Sequence, residues 1–160
     1  MSTAVAAALR GAEAVVFAAG AGPGSTAERK WTVDHGAAVT LVEAAGRAGV
    51  RRYVMVSAMG ADRYDPDSEE IFQVYLHAKS DADRAVRDSA LDWTVVRPGT
   101  LTDEPATGRV QIAPSTGRGT IPRDDVAALL AACLDAPASI GAQFEVISGG
   151  TLVRDAVAAL

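Results

Sequence analysis

Tyr75 and Lys79 are the two side chains in this sequence with the clearest chemical promise. They stand four residues apart on a segment patterned as a helix, which places phenol and ammonium on one helical face. A tyrosine in water titrates near pH 10 and is a poor proton donor or acceptor at neutrality. A lysine cation held beside it would stabilise the phenolate and lower that pKa, making general acid–base chemistry feasible. A packed tyrosine with a solvated lysine next to it is the competing reading, and spacing alone leaves both open. Ser57 closes an apolar, β-rich run and is a weaker candidate, because serines at such ends often satisfy only neighbouring backbone groups. The third feature is Gly20-Ala21-Gly22-Pro23-Gly24-Ser25, which follows a strand-like run and invites a phosphate-cradle reading. Its last glycine falls two residues after the second rather than three, and Pro23 occupies the turn. The next helix is expected only near Trp31, whereas an anion site needs the helix N-terminus at the loop. A strand-to-helix loop beside a ligand is therefore expected.

The elements that must position these residues alternate between two periodicities. Ala14–Ala19, Arg51–Ser57, Asp92–Arg97 and Gln143–Ile147 read as strands, with a short one at Arg109–Ala113. Helices are expected over residues 4–10, capped by Ser2 or Thr3, over 31–48, 69–90 and 123–134, and at the C-terminus. In the second of these, Val33, Ala37, Leu41 and Ala44 or Ala45 form the inward face and Gly49 the stop. Asp124 and Asp125 suit the positive end of the helix that Pro122 opens. Residues 100–120 look irregular. Strands alternating with helices of this length imply βαβ crossovers and a mainly parallel sheet, whose ligands sit beyond the carboxyl ends of the strands. Ser57, the Gly20 loop and Pro98-Gly99 all fall there.

Composition bounds the function classes. The 160 residues are 49% hydrophobic, enough apolar surface to offset the entropy of ordering a chain of one-domain size. A net charge of −5 disfavours nucleic acid as a partner, and no apolar run approaches the roughly 18 residues of a membrane span. The Ala-rich start lacks a basic leader and is broken by Arg10 and Glu13, so no signal peptide is expected and a cytoplasmic location is. Cys133, among Leu129, Leu130 and Leu134, reads as a small core residue. His35 and His77 lack partners at metal spacing and read as surface residues; no metal site is expected.

Tyr75 and Lys79 with the upstream Ser57, then Trp93-Thr94-Val95-Val96-Arg97-Pro98-Gly99, resemble the atypical short-chain dehydrogenase/reductases. The likeness is to the NAD(P)H-binding, NmrA-like set that includes flavin (biliverdin) reductase-like proteins. Leu9–Val16, Val33–Ala37, Arg52–Ser57 and Ile121–Ala127 extend it, in family order, over nearly the whole chain. The resemblance implies an α/β, Rossmann-like parallel sheet with flanking helices, and a single nucleotide-binding domain over residues 1–160. It implies NADP or NAD as cofactor, with NADP ahead, and a small-molecule substrate. Lys79 would hydrogen-bond the nicotinamide ribose, Tyr75 would exchange a proton with a substrate oxygen, and Ser57 would polarise that oxygen. Ala18, Ala19 and Gly20 would lie against the cofactor ribose, and Pro98, Gly99 and Thr100 against the nicotinamide.

The family's opening strand, G-x-x-G-x-x-G turn, helix and two further strands have no counterpart here. The expectation is a fold lacking its first βαβαβ portion, about 60 residues. The strand at Val15 then becomes an exposed edge, with self-association through it expected. Asp34 stands near a position where related dehydrogenases place a relay asparagine, but reads here as a solvated helical residue. The alternative function is a non-catalytic, NmrA-like dinucleotide-sensing or protein-interaction module.

Overall fold

A computed structural model describes residues 3–160. Of the two expected caps, Ser2 lies outside the described residues and Thr3 is already the first residue of helix α1 (Thr3–Ala8). β1 (Ala14–Phe17), β2 (Arg52–Val56), β3 (Asp92–Pro98) and β7 (Ala142–Ser148) are parallel neighbours in a six-stranded sheet. β5 (Arg109–Ala113) runs antiparallel to β7 and to the two-residue β8 (Thr151–Leu152). The sheet is thus mixed and mostly parallel rather than parallel throughout. Residues 99–108, which link β3 to β5, contain no helix, and the chain returns through them to the far side of β7 in the opposite sense. β4 (Thr100–Thr102) and β6 (Thr120–Pro122) pair as a small second sheet where irregular structure was expected; three-residue strands carry too little pattern to read.

Strand periodicity divides the core. Tyr53, Met55 and Val95 face α3 (Ala38–Ala48) and α4 (Ile71–Arg87), together with Val15 and Phe17. Val54, Val96, Phe144 and Val146 face α5 (Arg123–Asp135) and α6 (Val153–Ala158). β1 is an edge strand, and its Val16 is 41% exposed on the face opposite Val15 and Phe17. Asp125 does more than complement a helix end: its buried carboxylate accepts the Thr107 and Gly108 N–H groups at 2.9 and 2.8 Å.

Between β1 and β2 the chain is helical from Ala27 to Ala48, beginning four residues before the expected start. Thr26 caps it by accepting the Arg29 N–H, forming the short α2 (Ala27–Arg29). Lys30–Ala37 is then wound as a π-helix. Gly36 lies five residues after Trp31, and a Cβ there would stand only 3.3 Å from the Trp31 carbonyl oxygen. The wide turn carries extra chain, so the inward face shifts by one residue from the 3.6-period reading. Asp34, Ala38 and Val42 are the fully buried residues, with Ala37 and Leu41 only partly buried against the core, while Ala44 and Ala45 are buried as expected. Gly49 stops α3 as expected, left-handed at φ 75° with its N–H on the Ala45 and Gly46 carbonyls. Among the described residues no helix is long and apolar enough to cross a membrane.

Candidate functional site

The carboxyl ends of β1, β2 and β3 open onto a cleft of about 1180 Å³. All nine residues singled out in the sequence line it: Ala18, Ala19 and Gly20 after β1, Ser57 after β2, Tyr75 and Lys79 on α4, and Pro98, Gly99 and Thr100 where β3 passes into β4. β1 ends at Phe17, two residues short of the expected strand, so Ala18 and Ala19 belong to the loop. The Gly99 wall is tight. A Cβ there would overlap the Gly119 carbonyl oxygen and stand 2.9 Å from Ile147 Cγ2, so only glycine lets these segments touch.

Lys79 does not lie beside Tyr75 as a free cation. It is 3% exposed, and its Nζ donates to the Val56 carbonyl at 3.2 Å and pairs with Asp34 Oδ1 at 3.4 Å. Burial pulls the ammonium below its usual value, while Asp34 and then Asp83 push it back up. Tyr75 shifts the opposite way from the sequence expectation. Burial, reinforced by the Asp34 and Asp83 carboxylates, pushes the phenol up to about 12. The Lys79 charge is largely balanced by Asp34, and its Nζ is 5.9 Å from the Tyr75 ring centre. Desolvation therefore outweighs cation stabilisation at this phenol.

Asp34 is the residue the sequence reading placed wrongly. It is 1% exposed rather than solvated, because the π-helical segment turns it under the cleft. Its Oδ2 accepts the Ala21 N–H at 3.2 Å, so one carboxylate ties the β1 loop to the α4 lysine. Lys30, also buried, donates to the Gly22 carbonyl at 2.8 Å and stands 5.1 Å from the Tyr75 ring centre. The polar–apolar pattern of Lys30–Ala37 gave no sign of either role, because a π-turn departs from the helical period.

Ser57 is engaged elsewhere. Its hydroxyl donates to Asp83 Oδ2 at 2.8 Å, an oxygen that Arg97 also contacts through Nε and Nη2 at 2.9 and 2.7 Å. Arg97 continues to Asp62 at 2.7 Å, which accepts the Ser80 hydroxyl. Asp83 Oδ1 is buried without a hydrogen-bond partner among the described residues. Burial raises the Asp83 carboxyl, with Arg97 and Ser57 opposing the shift. With its proton committed to Asp83, Ser57 can polarise a substrate oxygen only by releasing that bond. The α4 spacing Tyr75, Lys79, Asp83 is the signal that could have exposed this network, since each is one turn from the next.

The histidines are half-buried rather than lone surface residues. His77 stacks on Tyr64 at 4.1 Å between ring centres and meets Trp31 edge-on at 4.9 Å, and Trp31 also contacts His35. Cys133 is fully buried, as expected, and its carbonyl accepts from Arg52.

The residues present fit a dinucleotide's nicotinamide half. Ala18, Ala19 and Gly20 leave the backbone after β1 open, and the cleft is lined by Lys30, Arg63, Lys79 and Arg118 against one carboxylate, Asp34. In a chain of net charge −5 that is a concentrated positive region.

Residues 1–137 match the NAD(P)H-binding family. The chain is 37% identical to the uncharacterized sugar epimerase YhfK of Bacillus subtilis, over 96% of this chain and 71% of that one. It superposes at TM-score 0.90 and 37% identity on a Bacillus halodurans structure titled "Putative NAD-dependent epimerase/dehydratase", covering 97% of this chain and 73% of that one. ChuY, an anaerobillin reductase from Escherichia coli O157:H7, matches at TM-score 0.74 and 28% identity, over 90% of this chain and 69% of that one. With the family's match over residues 1–137 and the Rossmann-like sheet beneath the cleft, the chain belongs to the NAD(P)H-binding family.

Proposed function

We propose that the chain is an NAD(P)H-dependent oxidoreductase of the atypical short-chain type, in which Tyr75 exchanges a proton with a substrate carbonyl or hydroxyl oxygen. The observation that carries this reading is the pairing of Tyr75 with the buried Lys79, one turn apart on α4, in the cleft above the strand ends. Lys79 would hold the nicotinamide ribose: its Nζ donates to the Val56 carbonyl and stands 3.4 Å from Asp34 Oδ1, which leaves donor capacity for a hydroxyl. Ala18, Ala19 and Gly20 would border the ribose, and Pro98, Gly99 and Thr100 the nicotinamide. NADP stands ahead of NAD on the family resemblance. When bound, the dinucleotide supplies or accepts a hydride at the substrate carbon.

Tyr75 handles the proton. In reduction its Oη–H is given to the carbonyl oxygen as that carbon is reduced; in oxidation the phenolate takes the hydroxyl proton. A phenol held near 12 stays protonated at neutrality, the form that can donate to a carbonyl oxygen. No G-x-x-G-x-x-G turn occurs in the sequence, so none of these residues is assigned to the pyrophosphate by that motif.

The test is fluorescence titration of NADPH and NADH, followed by turnover of carbonyl and quinone substrates by native protein and Tyr75→Phe. Support requires cofactor binding and a fall of about a hundredfold or more in kcat for the variant. No binding at millimolar cofactor, or equal rates in the two proteins, overturns the reading. Binding that supports no turnover of any substrate would instead favour the non-catalytic, dinucleotide-sensing module.

A further inference from the structure

We propose that β1 is a docking edge for a second copy of this chain, the two β1 strands pairing antiparallel across a two-fold axis so that the sheets of both copies become continuous.

β1 closes one end of the six-stranded sheet, and among the described residues no strand pairs with its outer side. An edge strand presents unpaired N–H and C=O groups that another strand can bond, and proteins ordinarily blunt such edges with charge, proline, bulges or very short strands. The opposite end of this sheet is blunted: β8 is two residues long and Arg154 follows close behind. β1 has no such protection. From Ala14 to Gly22 there is neither a charged residue nor a proline, and the ladder to β2 runs from Ala14↔Arg52 to Phe17↔Met55 without a bulge. Val15 and Phe17 are buried on one face, while Val16 is 41% exposed on the other.

The strand's own sequence selects a second copy as the occupant. An antiparallel partner must keep the Val15 and Phe17 face on the α3–α4 side, because a slip of one residue turns every side chain to the wrong face. Two copies meet that condition with Val16 opposite Val16 on the axis, Val15 opposite Phe17 and Ala14 opposite Ala18. Residues whose backbone groups point outward then face others that do the same. Glu13 falls beside Ala19 of the other copy, away from any carboxylate of that strand. There it approaches the loop that Lys30 holds through the Gly22 carbonyl at 2.8 Å, so charges of opposite sign are brought together. Centring the pair on Val15 instead would set the Glu13 carboxylate against the buried Phe17 ring. The contact from Ala14 to Ala19 is small beside the roughly 1,600 Å² of a standard interface, so the dimer should half-dissociate at about 10–100 μM.

Sedimentation velocity of the 160-residue chain from about 5 to about 500 μM tests this. Monomer and dimer should exchange and nothing larger should form, since a two-fold contact uses up both edges. Val16→Lys and Val16→Glu each set like charges together on the axis and should each weaken dimerisation at least tenfold. An equimolar mixture of the two variants should dimerise again, because lysine then stands opposite glutamate. Val16 is partly exposed, so a melting temperature close to native checks that each variant is folded. Hydrogen exchange on the native protein needs no substitution: raising the concentration should protect backbone amides within residues 14–19. A strict monomer throughout, open-ended oligomers, a dimer indifferent to Val16→Lys, no recovery on mixing, or protection at another surface overturns the proposal. None of these readouts involves cofactor, so they stand apart from the oxidoreductase reading.

Discussion

Replacing Asp34 with asparagine keeps the shape of a buried side chain and removes its charge. Asp34 is 1% exposed and pairs at 3.4 Å with Lys79, which is equally buried. Without the carboxylate, the ammonium is left unbalanced in a desolvated place, and breaking such a pair costs about 3–5 kcal/mol. A ceiling comes from the lysine itself. Shedding its proton at pH 7, from a value near 10.5 in the unfolded chain, costs about 5 kcal/mol, so the penalty cannot exceed that. Burial already lowers Lys79 in the native fold, and Asp34 is the largest force opposing that shift. Asp34→Asn lowers it further. A lysine whose folded pKa is depressed binds fewer protons folded than unfolded, so its destabilising effect is full at low pH. That effect fades as pH rises through the folded value. The gap between native and variant protein should therefore be widest below the variant's lysine pKa and close toward pH 10. Urea titrations followed by tryptophan fluorescence from pH 6 to 10 measure it directly. Near neutrality the loss corresponds to roughly 6–15 °C in Tm for a chain of this size. Equal stability at pH 7, or a gap that does not change with pH, would refute the buried-pair argument.

Three other perturbations test separate parts of the site. Because burial holds Tyr75 near 12, alcohol oxidation should climb about tenfold per pH unit from 7 to 10; a plateau near pH 8 would show a phenol easier to ionise than this one. Ser57→Ala removes a donor from Asp83, whose other oxygen already lacks a partner, and should cost about 1–3 kcal/mol in chemical denaturation. An unchanged unfolding midpoint would mean the hydroxyl contributes nothing there. Gly99→Ala drives a methyl into the Gly119 carbonyl and Ile147, and should cost about 1–3 kcal/mol by overpacking while weakening NADPH binding. Native stability and native cofactor affinity in that variant would count against the tight wall.

Much of the fold was legible because its signals are local. The runs at Val15, Tyr53, Val95 and Phe144 are short, apolar and bounded by turn residues, and each became a strand of the sheet. Gly49 stopped its helix where a left-handed residue was needed. What escaped depends on pairing at a distance or on an unusual winding. β4 and β6 are three residues each and exist through each other. β5 runs antiparallel to β7, a pairing made across the sheet that its own five residues do not mark. The π-helical turn at Lys30–Ala37 turned Asp34 inward, and a carboxylate read as solvated became the partner of Lys79.

The site divides in the same way. The alternation of strands and helices put Ser57 and Gly99 at strand ends, and the family resemblance joined Ala18, Tyr75 and Lys79 to them. All five line one cleft. Their protonation and their free donors were decided only by tertiary structure. Whether Lys79 lowers the Tyr75 pKa depends on what else is within a few ångströms and how much water has been excluded, and neither quantity is local in sequence. The fold brought Asp34 against the ammonium and Asp83 against the Ser57 hydroxyl, and buried the phenol. Coulomb energy and desolvation act through space, and so the chemistry of this helix follows from its neighbours rather than from its own spacing.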